Sequence, residues 1–155
     1  MVGTRQGMVG RPLATLDIVD EETAHAMADT FPRERKEAIE PFLGAIEAVR
    51  VLRDRGVKLG LITNGGAVFR RPKVVRFGLE PLFDNIVIEG EFGVGKPNPA
   101  VYRHVLDELG VEASDAWMVG DTLEWEIGIP QDLGLKRIWV DGYGRRTMRW
   151  FPIRL

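Results

Sequence analysis

Apolar positions fall into two kinds of pattern that alternate along the chain. At residues 44–55 they recur at helical spacing, with Ile46, Val49 and Leu52 at i, i+3 and i+6, and Gly56 stands where a C-terminal cap belongs. Elsewhere they bunch into short β-rich runs. Residues 57–62 (VKLGLI), 85–88 (NIVI), 117–119 (WMV) and 136–140 (KRIWV) predict four strands. Helices are predicted between them. One follows Thr63-Asn64-Gly65-Gly66 and runs to about Phe77, with Gly78 as its stop and its regular part starting near Pro72. A second starts at Asn98 as N-cap with Pro99 at the first helical position, and ends at Leu109 before Gly110. A third covers about 123–133, stopped by Gly134, and Pro130 inside it should kink it or shift its start. Residues 90–97 read as a loop and Ser114-Asp115 as a short turn. Upstream, 21–30 reads as a helix with acidic residues in its first turn, Pro32 interrupts it, 33–40 resumes, and Pro41 ends that stretch. The tail, 145–155, shows no clear pattern.

This alternation predicts an α/β fold, an open parallel Rossmann-like sheet flanked by helices. In such a sheet the carboxyl ends of the strands form the ligand crevice, and polar residues gather at three of them. Thr63-Asn64-Gly65 offers a hydroxyl, an amide and a glycine N–H that suit phosphate oxygens, although a plain turn would use the same residues for local backbone bonding. Gly95-Lys96-Pro97-Asn98-Pro99 fixes one positive charge between a glycine and a proline, where a solvated loop lysine is the plainer account. Gly120-Asp121 is followed five residues later by Glu126. Two carboxylates on one crevice suit Mg²⁺, a hard cation that prefers oxygen ligands. The plainer account makes Asp121 a helix cap and puts Glu126 on the surface. Asp121 is expected to end a buried strand, where an unpaired charge is unfavourable. Hydroxyl and amide donors, a lysine and an acid-bound metal are together what a phosphoryl group requires.

Composition narrows the chemistry by exclusion. The 155 residues include no cysteine, so disulfides and thiolate chemistry are out. The only serine, Ser114, has no G-x-S-x-G around it, and the only histidines, His25 and His104, lie in helical patterns. A formal net charge of −2 gives no electrostatic case for nucleic acid or an anionic membrane. No apolar run is long enough to span a bilayer, and residues 1–11 lack the apolar core of a signal peptide, so a cytoplasmic location is expected.

The order of the three strand-end motifs resembles the haloacid dehalogenase-like (HAD) hydrolase superfamily, in its helical-cap phosphatase branch. Leu61-Ile62-Thr63-Asn64-Gly65 is similar to the family's second motif, Val94-Gly95-Lys96-Pro97-Asn98-Pro99 to its third, and Gly120-Asp121 with Glu126 to its fourth. Pro41-Phe42-Leu43-Gly44-Ala45, Arg76-Phe77-Gly78-Leu79 and Arg137-Ile138-Trp139-Val140 resemble the same branch. The resemblance implies that Thr63 hydrogen-bonds the transferring phosphoryl group, helped by Asn64 and the Gly65 N–H, and that Lys96 neutralises it. It implies that Asp121 binds Mg²⁺, and that Glu126 binds it through water or positions Lys96. The implied substrate is a small phosphorylated metabolite.

The family's first motif, Asp-x-Asp after an apolar strand, has no counterpart here. Leu16-Asp17-Ile18-Val19-Asp20 comes nearest, with different spacing. Residues 1–42 are therefore expected to be an N-terminal segment with the remnant of a helical cap, 43–144 the core, and 145–155 a tail. The resemblance places the absent strand between the strands ending at Thr63 and Asp121. That slot is expected to be filled by residues 9–19, by a partner chain in a strand-swapped dimer or other homo-oligomer, or by direct closure of the sheet. Three functions follow as expectations: a Mg²⁺-dependent phosphatase, weak or inactive as this chain; a non-catalytic remnant or subunit that binds phosphate or a partner chain; and, within the family, a 2-haloacid dehalogenase.

Overall fold

The computed structural model describes residues 38–140 and the backbone of 148–151. The sequence expectations for 9–19, for the helix over 21–30, for 33–37 of the helical stretch over 33–40, and for Asp17 lie outside these residues. The chain divides into two units, Met1–Leu43 and Gly44–Leu155.

The order of elements is α1 (Ala45–Asp54), β1 (Gly60–Thr63), α2 (Ala67–Arg76), β2 (Asn85–Ile88), a one-turn α3 (Glu89–Phe92), α4 (Pro99–Leu109), β3 (Trp117–Gly120), a π-helical stretch (Leu123–Gly128), α5 (Ile129–Asp132), β4 (Lys136–Val140) and β5 (Met148–Phe151). The α4 boundaries follow the sequence signals. The Asn98 side chain accepts the Ala100 N–H, Pro99 opens the helix, and Gly110 closes it in the left-handed region. The strands form two ladders. β1 pairs in parallel with β2, Thr63 opposite Ile88, and β3 pairs in parallel with β4, which pairs antiparallel with β5.

α4 ties the two ladders together. Its buried stripe of Val101, Tyr102 and Val105 packs with Val87 of β2, Ile62 of β1 and Met118 of β3. Burial of such side chains stabilises by roughly 1.5–3 kcal/mol each.

Several expectations need correction. α2 is regular from Ala67, five residues before Pro72, not from Pro72 itself. The missing proline N–H leaves the carbonyl of Val68 without its helical donor, and Val68 is exposed enough for water to serve instead. The loop over 90–97 holds the single turn α3. The helix over 123–133 is divided: Pro130 cannot donate to the carbonyl of Glu126, so the chain forms a π-helical stretch and restarts as α5 with Pro130 in its first turn. β3 is not buried on both faces, because Trp117 and Val119 are exposed while Met118 faces the core. The tail holds β5, at an antiparallel edge. Of the three ways to fill the slot, direct closure is not what the described residues form, since β1 and β3 belong to separate ladders.

Arg137 of β4 is 4% exposed, and its Nε has no hydrogen-bond partner among the described residues. One Nη donates to the Leu135 carbonyl at 3.4 Å. A buried cation so weakly satisfied opposes folding. Arg137→Met, which keeps the length of the stem, is expected to raise stability by about 1–3 kcal/mol. Urea unfolding of the two proteins checks this, and a variant less stable than the parent would contradict it.

Candidate active site

Thr63 is the last residue of β1, Lys96 lies in the loop leading to α4, and Asp121 directly follows β3. Thr63 and Asp121 thus stand at strand ends, whereas Lys96, expected at one, lies beyond α3 in the loop before α4, and two contacts draw these segments together. The first is made by Asn64. Its Oδ1 accepts the Lys96 backbone N–H at 2.8 Å, and its Nδ2 donates to the Lys96 carbonyl at 2.5 Å. Both ends of the amide therefore grip the lysine's own peptide groups. Gly95 must be glycine beside this clasp, because a Cβ there would lie 2.7 Å from Asn64 Oδ1.

The second contact is the Lys96 side chain. Its Nζ donates to Glu126 Oε1 at 2.5 Å, with the two side chains 12% and 3% exposed. Glu126 Oε2 accepts the Thr122 N–H at 2.8 Å. The π-helical stretch brings this carboxylate back under the end of β3, so close that Gly120 has no room for a side chain. Glu126 is thus buried, not on the surface. Each oxygen accepts from one protein donor, Oε1 from Lys96 and Oε2 from Thr122.

Tyr102 closes the floor. Its hydroxyl donates to the Trp125 carbonyl at 2.5 Å. Burial, and then the nearby Glu126 charge, push its pKa up from the ordinary phenol value, so it remains a neutral donor.

Asp121 lies at an exposed position, and its backbone carbonyl accepts the Trp139 indole N–H at 3.0 Å. No group of three or more metal-ligating side chains occurs among the described residues. Mg²⁺ needs only one or two carboxylates when waters and substrate oxygens supply the rest, and the exposed Asp121 fits that demand. The Gly65 N–H, read from sequence as a phosphate donor, instead donates to Glu89 Oε2 at 2.7 Å. Arg70 Nε donates to the Asn64 carbonyl at 2.6 Å. Sequence reasoning missed Glu89, Arg70 and Tyr102. The one signal it offered was the glycine at positions 90 and 95, which marks close approach of backbone at Gly90 and of the Asn64 and Glu89 side chains at Gly95.

Known proteins resemble this chain in sequence and in fold. The family model described as haloacid dehalogenase-like hydrolase matches residues 8–131. Phosphoserine phosphatase of Thermus thermophilus is 37% identical over 121 residues, 77% of this chain and 48% of that protein. The crystal structure of a HAD phosphatase from Thermococcus onnurineus superposes with TM-score 0.67 at 26% identity, over 84% of this chain and 63% of that one. A 2-haloacid dehalogenase from Pseudomonas syringae superposes with TM-score 0.62 at 28% identity, over 97% of this chain and 63% of that one. The chain thus spans about half the length of the curated phosphatase it matches. Among the described residues no helix is long and apolar enough to cross a membrane.

Proposed function

The chain belongs to the haloacid dehalogenase-like hydrolases, and from that premise we propose that it is a Mg²⁺-dependent phosphatase acting on a small phosphate monoester. The observation that carries this reading is the buried Lys96–Glu126 pair, with Lys96 also clasped through its backbone by Asn64. A cation fixed at both its backbone and its tip needs little reorganisation when a phosphoryl dianion arrives, which is how a preorganised site gains over water. Thr63 donates its hydroxyl to a phosphoryl oxygen, Lys96 offsets the charge, and Glu126 keeps the Lys96 ammonium aimed. Asp121 holds Mg²⁺, which when bound would neutralise phosphate charge. Turnover by this chain is weak, because its sequence contains no Asp-x-Asp pair to supply nucleophile and general acid. We place the protein in the cytoplasm, as a homo-oligomer or strand-swapped dimer, on its cysteine-free composition and the separate β1 and β3 ladders.

A second reading is favoured by that same lack of an Asp-x-Asp pair: a non-catalytic subunit that binds phosphate or a partner chain. Hydrolysis of an aryl phosphate with Mg²⁺ or with chelator, by the parent chain, Asp17→Asn and Asp121→Asn, separates the two. The expected result is slow, chelator-sensitive turnover that falls to background in Asp121→Asn. Loss in Asp17→Asn as well would make Asp17 the nucleophile. Phosphate binding without turnover would replace the first reading with the second. Turnover of a 2-haloacid that ignores the chelator would point to a dehalogenase.

A further inference from the structure

We infer that Glu89 is a positioning residue of this site, holding the turn after Thr63 by taking the Gly65 N–H. The contact stands on the structure alone, whereas its effect on turnover rests on the phosphatase reading. Thr63 pairs with Ile88 as the last step of the β1–β2 ladder. Glu89 is therefore the first residue beyond that ladder on the β2 side, as Asn64 is on the β1 side. Residue 65 is held at both of its peptide groups: its N–H donates to Glu89 Oε2 at 2.7 Å, and its carbonyl accepts the Gly90 N–H at 3.1 Å.

The surroundings leave no slack. A Cβ on Gly90 would lie 2.5 Å from the Ala67 nitrogen, and one on Gly95 would lie 2.8 Å from the Glu89 carboxyl carbon and 2.7 Å from Asn64 Oδ1. The Glu89 carboxylate is thus enclosed between the turn that follows Thr63 and the loop that carries Lys96. Gly65 itself has φ 117°, a conformation that an unsupported chain leaves readily. A charge-assisted bond to its N–H is the kind of contact that holds such a turn.

Two effects oppose each other here. The carboxylate fixes the turn, and its negative charge disfavours a phosphoryl dianion nearby. Taking the Gly65 N–H also directs the phosphoryl group to Thr63 and Lys96. Glutamine keeps an acceptor oxygen in place and removes the charge, aspartate keeps the charge and withdraws the oxygen, and alanine removes both. These variants separate positioning from electrostatics.

The test uses the full chain and two readouts: hydrogen exchange of the Gly65 amide by NMR, and kcat and KM for an aryl phosphate. Glu89→Ala and Glu89→Asp are each expected to speed Gly65 exchange about tenfold or more and to lower kcat about tenfold, the equivalent of one hydrogen bond. Glu89→Gln is expected to keep both within about threefold of the parent, with KM equal or lower. The inference is overturned if Glu89→Asp exchanges and turns over like the parent, or if Glu89→Gln behaves like Glu89→Ala while its melting temperature is unchanged. Should the parent show no turnover, the phosphatase reading fails, and the exchange result still decides the role of Glu89.

Discussion

Replacing Glu126 by alanine is expected to destabilise the protein by about 3–5 kcal/mol, the range for removing one partner of a buried ion pair. The size follows from what remains behind. Lys96 is 12% exposed at its side chain, and Glu126 Oε1, 2.5 Å from its ammonium, is the carboxylate that pairs with it. Without it the ammonium stays buried and uncompensated, because the Asn64 clasp on the Lys96 backbone prevents the loop from carrying it out to water. The Thr122 N–H also loses its acceptor at 2.8 Å, and a cavity opens beneath Gly120. Glu126→Gln is expected to lose less, since an amide oxygen can still accept from one of the two donors. Guanidinium unfolding with linear extrapolation reads both variants. A loss below about 1 kcal/mol for Glu126→Ala would show that the pair adds no more than a surface salt bridge does.

The second large effect is expected at Gly120, where alanine should cost about 3 kcal/mol or more by combining overpacking with rupture of the ion pair. An added Cβ would fall 1.9 Å from Glu126 Cγ, 2.6 Å from its Cβ and 2.7 Å from its Cδ. No rotamer change moves all three atoms away, so either the π-helical stretch or the end of β3 must shift. Both shifts take Glu126 from Lys96, so the two substitutions should not be additive. Gly120→Ala is expected to cost markedly less in a Glu126→Ala background, where Cγ and Cδ are gone, and a double-mutant cycle measures the difference. Additive costs within about 0.5 kcal/mol would mean that Gly120 acts through backbone conformation rather than through Glu126.

These two residues also show where sequence reading stops. Glu126 stood in a motif spacing that allowed two roles, metal ligation through water or positioning of Lys96, and spacing could not choose between them. What the structure adds is where its oxygens point, toward Lys96 and the Thr122 N–H, which follows from the π-helical stretch that Pro130 helps to impose. Asn64 is a sharper case. A polar residue after a strand reads as a phosphate donor or a turn former, yet its amide is taken up by the backbone of Lys96, 32 positions away. The Gly65 N–H likewise goes to Glu89, 24 positions away. Neither partnership has a local cause.

The sequence by itself determined what depends on neighbours within a turn or so of chain. The Asn98 cap and Gly110 stop of α4, the apolar runs that became β2 and β4, and the polar strand ends at Thr63 and Gly120-Asp121 were all legible, because capping, side-chain alternation and the exclusion of proline act over a few residues. Tertiary structure alone decided which polar groups are used up inside the protein and which stay open to a ligand. Asn64, Gly65 and Glu126 are spoken for by Lys96, Glu89 and Thr122, while the position of Asp121 stays exposed. The physical reason is that a hydrogen bond is satisfied by geometry and not by residue type. An amide, a glycine N–H and a carboxylate can each pair with several groups, and only the fold, by bringing Asn64 to Lys96, Gly65 to Glu89 and Lys96 to Glu126, selects among them.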